Sequence, residues 1–248
     1  MCHACRGDKP RNTIATRGRA PRGPLYLGDR LTFTLIAVDR EHGLLGAATA
    51  SRSLAVGNAV ITVDPAVGVV ASQAWTNRAL RHRMLTAMAS GATASDAVGR
   101  LLEWDEEPGL RQVAALDLHG GVAAATGDRT SGWAGHALAA DHAVLGNLLV
   151  GPVVLDAMAA DWARGGEPGA VPENATPLGF AARLLSALDA GDRAGGDLRG
   201  RQSAAVVAAQ VGDEREHPPL LQVDLRVDDH ERPVTELLRL LQVQVAGS

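Results

Sequence analysis

The chain has 248 residues, of which 46% are hydrophobic and 21% charged, and a formal net charge of −4. This length allows one large domain or two small ones; the balance excludes a fully disordered chain, and the longest apolar runs, such as Ala204 to Ala209, are too short to span a bilayer. Mild acidity and an aromatic content of 3% give no reason to expect nucleic acid as a partner.

Residues 1 to 30 carry seven basic and two acidic side chains without a hydrophobic period, which predicts a disordered Arg/Gly/Pro-rich arm ahead of one domain over residues 31 to 248. Cys2 and Cys5 both lie in the arm. A single C-x-x-C pair without strand or helix context predicts neither a metal nor a redox centre, and a domain free of cysteine suits the reducing cytoplasm. From Leu31 to Val38 the chain turns apolar and β-branched, Asp39 to Gly43 carries turn chemistry, and Leu44 to Ser51 completes a hairpin. Strands are predicted at Ala59 to Val63 and Val67 to Gln73, broken by Asp64-Pro65. Helices follow at Arg78 to Ser90 and Ala94 to Trp104, with Asn77 and Thr93 as N-caps.

Gln112 to Leu118 and Val122 to Thr126 form a second hairpin around His119-Gly-Gly121, whose glycines supply the positive φ of a tight turn. His142 to Leu148 reads as a strand; Pro152 and Pro177 open helices at positions that need no backbone N–H. The loop Gly191 to Gly200 leads into a strand at Gln202 to Gln210, Leu221 to Asp228 pairs with it, and Pro233 starts a last helix. Hairpins separated by helix pairs predict an α+β fold, a four-layer α-β-β-α sandwich with two antiparallel sheets, and not the strict βαβ alternation of a doubly wound fold. Neither G-x-G-x-x-G nor a P-loop occurs, so no nucleotide cofactor is expected.

Several segments resemble the bacterial family catalogued as domain of unknown function 1028. They are Thr32-Phe-Thr-Leu-Ile-Ala-Val-Asp39, Ala50-Ser-Arg-Ser-Leu-Ala-Val-Gly57, Ser72-Gln-Ala74, Trp133-Ala-Gly-His136, Gly146-Asn-Leu-Leu-Val-Gly-Pro152, Gly195-Gly-Asp-Leu-Arg-Gly-Arg-Gln-Ser-Ala204 and Asp224-Leu-Arg-Val-Asp-Asp-His230. The resemblance implies the fold of the N-terminal-nucleophile (Ntn) hydrolases. In those enzymes the first residue of the mature chain attacks a carbonyl while its own α-amino group, titrating near neutrality, takes the proton. On this resemblance Thr32 is the candidate nucleophile, at the start of the first core strand, once the residues before it are removed.

The remaining candidates surround that reading. Ser51 and Arg52 end the second strand, where substrate would be met. Gln73, Asn77 and Asn147 are amides able to donate to an oxyanion. Asp197, Arg199, Gln202 and Ser203 crowd a glycine-rich loop, in which an arginine can hold a carboxylate by two parallel hydrogen bonds. Alternation puts Asp224, Arg226 and Asp228 on one strand face, expected to be buried and to meet Asp197 or Arg199. Asp228-Asp229-His230 has metal-ligand types, but successive residues point apart and no H-E-x-x-H exists, so no metal is expected. The function expected is hydrolysis of a small-molecule amide, with Arg199 or Arg226 placing a carboxylate; the rival is a non-catalytic small-ligand-binding or scaffold protein on the same fold. A serine hydrolase using Ser51 or Ser203 with His136 or His230 is weaker, because the G-x-S-x-G elbow is missing. The partner expected is a small-molecule substrate, with neither nucleic acid nor membrane, and a homo-oligomer is compatible with the sequence.

Overall fold

The structure, a computed structural model, describes residues 32–165 and 175–247, together with the backbone of a short strand at Thr13–Ala15. Among these residues the fold is mixed α+β, with two sheets in which every pairing is antiparallel. The larger sheet contains β1 (Thr13–Ala15), β2 (Thr32–Asp39), β3 (Leu44–Ser51), β8 (Trp133–Leu138), β9 (His142–Leu149), β10 (Ser203–Gln210) and β11 (Val223–Val227). Its order is β1-β8-β9-β2-β3-β10-β11, and the smaller sheet runs β4 (Ile61–Asp64), β5 (Gly68–Ala74), β6 (Arg111–Asp117), β7 (Val122–Thr126).

Strand alternation sorts the apolar side chains into three clusters. Phe33, Leu35 and Ala37 of β2 face α5 (Val153–Arg164), α6 (Pro177–Arg193) and α7 (Pro233–Gly247), joining Trp162, Phe180, Leu184 and Leu237. Ile36 and Val38 face the other way and meet Val69, Ala71, Ala114 and Leu116 of the smaller sheet. The far side of that sheet packs Val70, Val113 and Ala115 on Leu80, Met84, Met88, Ala97 and Leu101 of α2 (Ala79–Ala89), α3 (Ala94–Gly99) and α4 (Leu101–Trp104).

Local chemistry sets the ends of these elements. Thr93 and Asp96 form a reciprocal capping box on α3, and Thr176 accepts from the Gly179 N–H ahead of Pro177 on α6. At the β6–β7 turn Gly120 has φ +105°, while Asp117 Oδ1 accepts from the N–H groups of His119 and Gly121. Two expectations need correction. The strand expected at 59–63 begins as a helical turn, α1 (Val56–Val60), with Ala55 in the left-handed region ahead of it, and one turn is too short to show a helical period. Strand β8 was not foreseen, because a register shift between Trp133 and Gly135 breaks its alternation. The rest of the arm, with Cys2 and Cys5, lies outside the described residues, but Thr13–Ala15 pairs with β8 at the sheet edge. An open edge offers backbone hydrogen bonds to any extended segment, so this pairing needs no hydrophobic period. Among the described residues no helix is long and apolar enough to cross a membrane.

Candidate functional site

At one end of the space between the sheets the apolar packing gives way to polar side chains. Thr32 and Thr34 come from β2, Thr49 and Ser51 from β3, Gln73 from β5, Gln112 from β6, Asn147 from β9 and Ser203 from β10, all buried. They share this face because each stands two or four residues from an apolar neighbour that also points into the gap, such as Ile36 on β2, Ala47 on β3 and Leu145 on β9. Thr32 pairs directly with Asn147 across β2–β9, the closest side-chain relation a sheet offers. Thr32 Oγ1 lies 3.4 Å from Ser51 Oγ, which is 2.9 Å from Ser53 Oγ.

The directions of the amide hydrogen bonds in this cluster follow from Gln112, which is not among the residues singled out from the sequence. Its Nε2 stands 2.9 Å from the carbonyl oxygens of Gly135 and Gly146, and carbonyls only accept. Its Oε1 therefore faces the opposite way, where it accepts from Gln73 Nε2 at 2.8 Å and Asn147 Nδ2 at 3.0 Å. Gln73 Nε2 also donates to the Thr32 carbonyl at 3.2 Å, which leaves Gln73 Oε1 to accept from Thr34 Oγ1 at 2.6 Å. Two backbone carbonyls thus fix Asn147 as an N–H donor beside Thr32 and tie down the backbone of Thr32 itself. The signal that could have found Gln112 is the one that marked Gln73, a lone amide near the end of a mostly apolar strand.

Gln112 Nε2 further reaches Thr126 Oγ1 at 2.9 Å, and that hydroxyl meets His136 Nδ1 at 2.9 Å. Burial pushes the His136 imidazole below its ordinary range, so the ring is neutral at pH 7.

A second cluster closes the same end. The loop after α6 packs on the start of β2, where a Cβ on Gly196 would come within 3.4 Å of the Phe33 ring, and Asp197 bridges Leu149 at the end of β9. The buried Asp197 carboxylate accepts from the Arg52 N–H at 2.7 Å and the Arg199 N–H at 2.8 Å, and it pairs with the Arg199 guanidinium at 3.2 Å. Thr32, Ser51, Arg52, Gln73, Asn147, Asp197 and Arg199 therefore converge, although they span 168 positions of sequence.

Other candidates stand apart. Arg226 pairs with Asp224 through Nε–Oδ1 at 2.7 Å and Nη2–Oδ2 at 2.9 Å, both residues are exposed, and neither meets Asp197 or Arg199. The expected buried charge network is absent because β11 is the edge of the seven-stranded sheet, beyond the cover of the narrower four-stranded one. Asp228 is likewise exposed; its carbonyl accepts from the Ala55 N–H. Gln202 sends its side chain to Asp229 at 3.1 Å, away from the polar cluster, while its N–H extends the pairing with β3 at Ser51. Asn77 binds Asp105 at 2.7 Å and accepts from the Ala79 N–H at the start of α2, a structural position. His230 is exposed and accepts from the Arg232 N–H. Among the described residues no group of three His, Cys, Asp or Glu side chains is placed to hold a metal. Arg226→Leu should change stability by less than about 1 kcal/mol in urea titration, the scale of an exposed ion pair; a loss of several kcal/mol would put that face in a buried network after all.

None of the curated proteins matches the chain in sequence. Among solved structures, the crystal structure of protein SPO2555 from Silicibacter pomeroyi, of family DUF1028, is similar over 86% of this chain and 88% of its own, with 32% identity and a TM-score of 0.71. The model of the family of unknown function DUF1028 matches residues 32–237, from the threonine that opens β2 into the final helix, and the chain belongs to that family.

Proposed function

We propose that the chain is an Ntn-type hydrolase of a small-molecule amide, and that its helices and two sheets form the four-layer α-β-β-α sandwich of such enzymes. The observation that carries the reading is the place of Thr32. It opens a central strand at the polar end of the gap between the sheets, with its hydroxyl beside Ser51 and an amide donor, Asn147, paired opposite. Cleavage of the Leu31–Thr32 bond by water gives Thr32 a free amine. That amine takes the hydroxyl proton as Oγ1 adds to the substrate carbonyl, the second Asn147 N–H meets the oxyanion, and the proton passes to the departing nitrogen. Water then hydrolyses the ester left on Thr32.

A specific observation favours the rival reading of a non-catalytic ligand-binding protein: in the full-length chain Thr32 is bonded to Leu31, its nitrogen is an amide, and the residue is 2% exposed. Intact-mass measurement of purified protein, run beside a panel of small amides, separates the two. Turnover should rise in proportion to the fraction of chains that begin at Thr32. Turnover that does not follow this fraction, or is absent from fully processed protein, would sink the hydrolase proposal.

A further inference from the structure

At the mouth of the polar cluster one guanidinium, that of Arg52, has no carboxylate partner among the described residues. Arg52 and Arg199 are both present, and the ion pair of Asp197 is with Arg199. The nearby Asp192 is matched by Arg201 at 2.8 Å. Arg52 meets Asp197 only through its backbone N–H, while its guanidinium is exposed and donates through Nη1 to the Arg199 carbonyl. Among the described residues no carboxylate pairs with that guanidinium. Its Nε and Nη2 edge, the side-on fork that fits a carboxylate with two parallel bonds, makes no hydrogen bond among the described residues.

Apolar surface borders this cation. Leu198, next to Asp197, is 58% exposed, and Val150, next to Leu149, is 46% exposed. The Leu149–Asp197 bridge brings both residues to one rim, and Val150 lies so close to the backbone of Gly195 that a Cβ there would approach it to 2.7 Å. Arg52 in turn follows Ser51, whose hydroxyl is 3.4 Å from that of Thr32. The Arg52 guanidinium, the apolar rim and Thr32 thus lie at the same end of the fold, linked by these pairwise contacts.

We propose that Arg52 anchors a carboxylate, and that the ligand class is an acylated amino acid: an amide with a free carboxylate and an apolar side chain that rests on Leu198 and Val150. The proposal deepens the amide-hydrolase reading by naming its substrate class. The anchor assigned from the sequence to Arg199 or Arg226 moves to Arg52, because the other two guanidinium groups are held by Asp197 and Asp224.

Calorimetric titration of the full-length protein with N-acetyl-leucine and with its uncharged counterpart N-acetyl-leucinamide tests the anchor without requiring turnover. The acid should bind at least about tenfold more tightly than the amide, a gap of about 1.4 kcal/mol. Arg52→Met should erase that gap, Arg52→Lys should keep part of it, and Arg226→Met should leave it unchanged. The gap should also survive Thr32→Ala. Equal binding of acid and amide, binding of neither, or a preference that persists in Arg52→Met would each overturn the proposal. A preference that depends on Arg52 in a protein that hydrolyses no amide would keep the anchor and remove the hydrolase reading instead.

Discussion

Gln112→Leu should cost the protein about 3–5 kcal/mol, read as a fall in the urea midpoint at unchanged slope. Leucine is similar in volume but has neither a donor for the buried carbonyls of Gly135 and Gly146 nor an acceptor for Gln73 and Asn147. Each buried polar group left without a partner costs about 1–3 kcal/mol, and local relaxation keeps the total below the plain sum. Gln112→Glu separates the two halves of this role. A glutamate keeps an oxygen toward Gln73 and Asn147, but it can donate toward Gly135 and Gly146 only when protonated. Its folded pKa is therefore raised above the value of about 4.3 it has in an unfolded chain. The stability tied to that proton is complete below the unfolded pKa and is lost as pH rises through the folded one. Gln112→Glu should thus come closest to the wild type in mild acid and fall furthest behind it near pH 7. A Leu variant within about 1 kcal/mol of the wild type, or a Glu variant whose deficit does not change with pH, would mean that the network does not hold this end of the fold together.

The parts legible in the sequence are those whose cause is local. A threonine with an aspartate three residues on announces a helix start at Thr93, and Gly120-Gly121 between two apolar runs announces a hairpin. Thr32 is singled out by the family resemblance, Ser51 by its place at a strand end, and Gln73 and Asn147 as amides; the structure gathers the four at one end of the two facing sheets. The illegible parts depend on which strand lies beside which. The polar face of β11 looked buried because alternation shows that a face exists and not whether a second sheet covers it; strand order places it at an uncovered edge. Gln112 carries the same amide signal as Gln73, but its role as the hub is illegible, because its partners come from four separate segments, around Gln73, Thr126, Gly135 and Gly146–Asn147. The proposed anchor is illegible for the same reason, since Arg52, Arg199 and Arg226 look alike until their acidic neighbours are placed.

Thr32→Ala should abolish amide hydrolysis, a loss on the order of 10⁴-fold or more, as expected when the attacking atom of a covalent mechanism is removed. The fold should survive, because the side chain gives up one methyl and a hydroxyl whose hydrogen bond to Ser51, at 3.4 Å, is long and weak. To make the starting state certain, residues 28–31 can be replaced by the protease recognition sequence Ile-Glu-Gly-Arg, so that cutting the purified full-length chain leaves Thr32 first. After the cut, a β-lactone electrophile should add one equivalent by mass, and peptide mapping should find it on Thr32; before the cut it should add none, because an amide nitrogen cannot accept the hydroxyl proton. Thr32→Ser should label and turn over at a reduced rate, since the hydroxyl remains while the methyl that limits its rotamers is gone. Asn147→Ala should retain labelling but slow it by about 10²–10³-fold, the usual cost of losing one oxyanion donor. Hydrolysis by the uncut chain that persists in Thr32→Ala would place the nucleophile elsewhere in the molecule, and a cut chain that neither labels nor turns over an amide would leave binding at Arg52 as the activity of this site.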